Sequence, residues 1–241
     1  MKPAIVISCF LLSVFFAVQT DKYAEALKFY DKKQYTASIT ICTYELERLS
    51  YKDTLTIKFL SLRASSYLEL RDFELAIKDY KKLTDLKPNN ISWYMGLSYS
   101  YGENKEYTDC MNTLKTALSI DPKNIDLYNN LSYYSAQYGN YGDAVKFANN
   151  GLEYVKDQSW RGSLLNNRGY GYIGLKQYSK ALDDINESIK LNAGNSFAYC
   201  YRAIANIGLK KMETVCDDLN KAKNLGATAL TADLIKQYCK K

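Results

Sequence analysis

An all-α fold of stacked antiparallel helix pairs is what this sequence predicts, on three observations. A pattern of large and small residues returns with a period of about 34 residues. Only 3 prolines occur in 241 residues, and proline is the strongest helix breaker because it lacks the N–H and clashes with the preceding turn. The 23 tyrosines would suggest strands by propensity alone, but they fall at repeated places in the period, so the repeat explains them.

The first element is an address. Lys2 precedes an apolar run from Ala4 to Val18, broken only by Ser8 and Ser13, and polar Gln19-Thr20-Asp21-Lys22 follows. A basic start, an apolar core and a polar exit are the parts of a secretory signal, here assigned to residues 1–20 with cleavage near Ala17 to Thr20. The competing reading is an uncleaved N-terminal anchor, although the run is short for a span. Removal of the leader predicts an exported chain, periplasmic or extracellular, with no stable membrane span. Its compartment is oxidising. Five cysteines then remain: Cys42, Cys110, Cys200, Cys216 and Cys239. The odd count leaves at least one thiol unpaired within the chain.

The repeats follow, over residues 21–241. Six copies are expected near 19–52, 57–90, 91–124, 125–158, 162–195 and 196–229. In each, an aromatic or Met opens the second helix: Tyr35, Phe73, Tyr107, Tyr141, Tyr178 and Met212. Small residues recur on the first helices at Ala26, Ala64, Ser98, Ser132, Gly169 and Ala203. On the second helices the column is Ser38, Ala76, Cys110, Ala144, Ala181 and, larger, Val215. Small side chains let paired helices approach, a large ring fills the space beside them, and one pair alone cannot bury its apolar faces. Pro88 and Pro122 follow apolar helix ends as terminators. Asn89-Asn90, Gly139 and Gly174 mark turns. A capping helix over 228–241 carries Leu230, Leu234, Ile235 and Tyr238 on its apolar face.

These columns resemble the tetratricopeptide repeat (TPR) family, over nearly the whole mature chain. The resemblance implies a right-handed superhelical solenoid whose first helices line a concave groove. It also implies a non-enzymatic scaffold that binds an unidentified protein or peptide. Asn130 and Asn167 stand at equivalent places where relatives grip an extended peptide backbone, with Asn129 and Asn166 preceding them and Tyr99, Tyr133 and Tyr170 about one turn further on. An amide offers a donor and an acceptor to match a peptide bond. The alternative is that these are ordinary surface residues of an Asn-rich chain. The carboxylate clamp of chaperone-binding relatives is missing: Ser163, Phe197 and Tyr201 stand at places where its cations belong. Groove binding of a glycan or other small polar ligand, and a purely structural adaptor, are the other functional readings.

Chemistry for catalysis is scarce. With no histidine the commonest general base is absent, no cofactor motif occurs, and the cysteine spacing fits no zinc site. Asp183-Asp184 and Asp217-Asp218 on second helices read as solvated pairs. The net charge of +6 is spread along the chain, without the basic cluster of a nucleic-acid binder. Cys216, on the last second helix, and Cys239, on the terminal helix, form a candidate disulfide; two separate buried thiols are the alternative.

Overall fold

The computed structural model describes residues 21–49, 54–226 and 229–239. The expected leader over 1–20 and the ends of the expected cap, Thr228, Lys240 and Lys241, lie outside the described residues. Every regular element among the described residues is helical. In chain order these are α1 (21–31), α2 (Tyr35–Leu46), α3 (Thr54–Glu69), α4 (Phe73–Leu86), α5 (Ile91–Glu103) and α6 (Tyr107–Ile120). Then follow α7 (Ile125–Gln137), α8 (Tyr141–Tyr154), α9 (Gln158–Gly174), α10 (Tyr178–Leu191), α11 (Ser196–Gly208), α12 (Val215–Asn224) and α13 (Ala229–Tyr238). None of the described helices is long and apolar enough to cross a membrane. The chain falls into two compact units, divided between Thr113 and Leu114.

Within each unit consecutive helices pack as pairs, as in a TPR solenoid: α3 on α2 and α4 in the first, α9 on α8 and α10 in the second. First helices also pack on first helices, α9 touching both α7 and α11. The small-residue columns lie where these helices meet. Ala26, Ala64, Ala76, Ser132, Ala144, Ala181 and Ala203 are all wholly buried. The Ser132 hydroxyl donates to the Ala144 carbonyl at 2.8 Å, from one small-residue column to the other across the α7–α8 pair. A larger side chain at either place would push the helices apart.

Each turn inside a pair is closed in one way. A residue just past the first helix takes positive φ: Lys33, Arg71, Lys105, Gly139, Lys176 and Lys210. The next N–H reaches back five residues, as from Gln177 to the Tyr172 carbonyl at 2.9 Å. That closure satisfies carbonyls orphaned at the helix end. Glycine suits this backbone best, yet five of the six residues are basic, and a cation there complements the negative end of the helix dipole. Gly139 turns as the sequence suggests. Gly174 does not: it is the last residue of α9, and the turn is made by Lys176. A Cβ on Gly174 would overlap the Tyr141 ring, and one on Gly208 would overlap the Tyr178 ring. Tyr141 and Tyr178, which open second helices, therefore sit against the tails of the next first helices. They bracket neighbouring pairs rather than filling one pair.

The expectation that the paired aspartates are solvated is corrected. Asp183 and Asp217 are exposed, but Asp184 and Asp218 are buried. Each is gripped by both ends of a guanidinium from the first helix of its own pair. Arg168 holds Asp184 at 2.7 and 2.6 Å, and Arg202 holds Asp218 at 2.8 and 2.6 Å. Arg63 holds Asp79 in the same manner at 2.7 Å. The remaining guanidinium nitrogen reaches the preceding second helix, at Thr43, Asn149 or Asn186. Neighbours in sequence point about 100° apart on a helix, so one Asp of each pair faces water and the other faces the seam. In the third and fourth copies Leu97 and Leu131 occupy the arginine place and are buried.

The C-terminal end is covered by α13. Leu234, Ile235 and Tyr238 pack on Ala203, Val215 and Leu219. Cys216 and Cys239 are joined in a disulfide with Cα atoms 5.6 Å apart. Cys42, Cys110 and Cys200 lie outside that disulfide, and all three are buried. Burial pushes the Cys42 thiol up to about 12, so it is inert at neutral pH.

Candidate functional site

The first helices of the second unit share a face, and a cavity of about 220 Å³ opens on it. Three N-caps set the helices that form it. Asn124 accepts from the Leu127 N–H to start α7, Asp157 accepts from Ser159 and Trp160 to start α9, and Asn195 accepts from Phe197 to start α11. Such caps satisfy donors that the first helical turn leaves open. The cavity is walled by Asn129 and Tyr133 from α7 and by Ser163, Asn166 and Asn167 from α9. Asn195, Phe197 and Tyr201 close it from the α11 side. None of these side chains is charged.

Most of the polar atoms here are committed within the protein. The Asn167 amide donates to the Asn129 side-chain oxygen at 2.9 Å and to its backbone carbonyl at 3.2 Å, tying α9 to α7. The Asn195 oxygen is occupied by the Phe197 N–H at 3.1 Å, and the Ser163 hydroxyl donates to the Ser159 carbonyl at 3.3 Å. The Tyr201 ring lies flat on Tyr170, with centroids 4.5 Å apart and planes 3° apart. Burial raises the Tyr201 phenol above the ordinary tyrosine range, so it stays neutral. One group stands apart. Asn166 is buried to 6 % exposure, and its side-chain oxygen has no hydrogen-bond partner. That oxygen is closed to solvent, and a buried acceptor without a donor costs the fold about 1–3 kcal/mol.

Of the residues singled out from the sequence, Asn129, Asn166, Asn167 and Tyr133 come together here. Asn130 is half-buried and is not part of the wall. Tyr170 lies against Tyr201 and does not line the cavity itself. Tyr99 belongs to the first unit, 42 % exposed and edge-on to Phe73. Ser163, Phe197 and Tyr201 were legible only as the places where clamp cations are missing. Asn195 was not legible as a wall residue, because its position depends on where α11 begins.

The tetratricopeptide repeat family model matches residues 57–90 and 92–124. Among solved structures, a tetratricopeptide repeat protein from Parabacteroides merdae is similar, with 19 % identity over 92 % of this chain and 84 % of that one and a TM-score of 0.71. The MamA protein is 18 % identical over 77 % of this chain and 97 % of its own, with a TM-score of 0.57. YrrB, described as a TPR protein with an unusual peptide-binding site, is 17 % identical over 81 % of this chain and 97 % of its own, with a TM-score of 0.56. No curated protein matches the chain. Two copies of the tetratricopeptide repeat are thus matched directly, and the chain as a whole shares the helix-pair solenoid fold of these structures.

Proposed function

We propose that this protein is a non-enzymatic scaffold that holds an extended segment of a partner protein across α7, α9 and α11. The observation that carries the reading is an uncharged cavity across three first helices, walled by four asparagines and the rings of Tyr133, Phe197 and Tyr201. The Asn129 amide, whose oxygen is already taken, has N–H groups to offer a peptide carbonyl. Each such bond contributes about 0.5–1.5 kcal/mol net, so apolar contact must supply the rest. Phe197 and Tyr133, 39 % and 36 % exposed, stand ready to supply it. The fold supports a protein-interaction role, and the peptide-binding site described for YrrB is a precedent on the same fold.

The test is selection of a random peptide display library on the whole chain. Enriched peptides should bind the native chain, and Tyr133→Ala and Phe197→Ala should weaken them at least about tenfold, the scale of an aromatic hot spot. If no peptide is enriched and a glycan array yields a ligand instead, the scaffold reading is wrong and the small-ligand reading takes its place.

The export reading belongs here too. The bridged Cys216–Cys239 pair supports an oxidising compartment, where disulfides persist. Fusion to a reporter enzyme that is active only after export checks this, and an inactive but stable fusion would refute it.

A further inference from the structure

Resting on the peptide reading above, we infer that the segment taken by the cavity is a proline-containing one in the polyproline II conformation, chosen for the N–H that proline lacks. The wall decides this by what it has left to give. Of its four asparagine oxygens, two are already bonded, Asn129 to the Asn167 amide and Asn195 to the Phe197 N–H, and that of Asn166 is closed to solvent. What Asn129 and Asn195 keep for a ligand is their N–H groups. The asparagines of the wall therefore offer donors more readily than acceptors. An ordinary residue of an extended segment brings one N–H and one C=O, and an N–H taken out of water without an acceptor is costly. Proline brings the carbonyl alone.

The rings supply the apolar half of the match. Tyr133 from α7 and Phe197 from α11 are exposed, and no charged side chain lines the cavity. A pyrrolidine ring is neutral, so it enters without a counter-ion, and it packs against an aromatic face; grooves lined by aromatic residues take proline-rich segments in this way. The polyproline II backbone is extended and has no internal hydrogen bonds, so its carbonyls are free to accept from amide N–H groups. It is also formed before binding, which lowers the cost of ordering the segment. A sugar matches less well. Each hydroxyl brings a donor as well as an acceptor, and three of the four asparagine oxygens are bonded or closed to it.

The experiment uses peptides selected on the whole chain and resynthesised in three forms at the enriched position: Pro, Ala and N-methylalanine. The expected result is enrichment of Pro at a fixed position, at least about tenfold weaker binding of the Ala form, and most of the affinity kept by N-methylalanine, which like Pro has no N–H. On the protein side, Asn195→Asp keeps the helix cap, since Asp caps as well as Asn, and removes the N–H groups. It should weaken the Pro form about tenfold with the melting temperature unchanged, which separates a lost contact from a folding defect. An N-methylalanine form as weak as the Ala form, or an Asn195→Asp chain that binds as tightly as the native one, would overturn the inference. Tight peptides without Pro would overturn it too and leave the groove reading intact. Failure to enrich any peptide would overturn both, and capture of sugars on an array would assign the cavity to a glycan.

Discussion

Asn166 and Arg168 sit two residues apart on α9, and both bring polar groups into the seams of the stack. Arg168 is fully matched: two nitrogens grip the Asp184 carboxylate and a third reaches Asn149 on the preceding pair. Asn166 is more deeply buried, and its oxygen meets nothing. The difference teaches that two polar side chains on one helix can be buried with their bonds complete or with one missing. The arginine seam is internal and saturated. The asparagine face lines a cavity, and behind it one acceptor, closed to solvent, is left unbonded.

The largest effect should come from breaking the saturated side. Asp184→Ala strands a half-buried guanidinium and should destabilise by about 3 kcal/mol or more in urea unfolding, whereas replacing Arg168 and Asp184 together by Leu should stay within about 1–2 kcal/mol of the native chain. Leu at Leu97 and Leu131 already fills the arginine place in two copies, buried in both. A loss below 1 kcal/mol for the single change would mean that the clamp is ornamental. Next, the covalent closure of the C-terminal end: Cys216→Ser with Cys239→Ser should cost about 3 kcal/mol by the loop-entropy model, read as a shift in denaturant midpoint. An unchanged midpoint would show that α13 holds without its staple.

The asparagine face gives the smaller effects, and they have opposite signs. Asn167→Ala removes the tie from α9 to Asn129 and should cost about 0.5–1.5 kcal/mol. Asn166→Leu removes an unsatisfied acceptor and should gain about 1 kcal/mol. If Asn166→Leu destabilises as much as Asn167→Ala, the two asparagines are alike and the contrast drawn from α9 fails. Calorimetric Tm values for the two variants side by side decide it.

Much of this was open to reading from the chain alone. The small columns, from Ala26 to Ala203 and from Ser38 to Val215, were visible because close helix contact admits few side chains larger than Ala or Ser. Three of the four asparagines named from the sequence line one cavity because spacing on a helix fixes the face. What spacing does not report is partnership. Asp184 looked solvated because sequence shows only that it follows Asp183, and Arg168, sixteen residues back, reaches it only once α9 lies along α10. Gly174 looked like a turn because glycine usually is one. The ring that needs its missing Cβ belongs to Tyr141, in the pair before.

By itself, then, the order of residues determined the all-helical class, the pairing of helices and the faces on which the amides stand, because helical periodicity and steric limits act locally. Only the packed chain decided which of those amides is bonded and which is left open. A hydrogen bond depends on atoms brought within about 3 Å of each other, and residues as far apart as Asn129 and Asn167 reach that distance through packing alone.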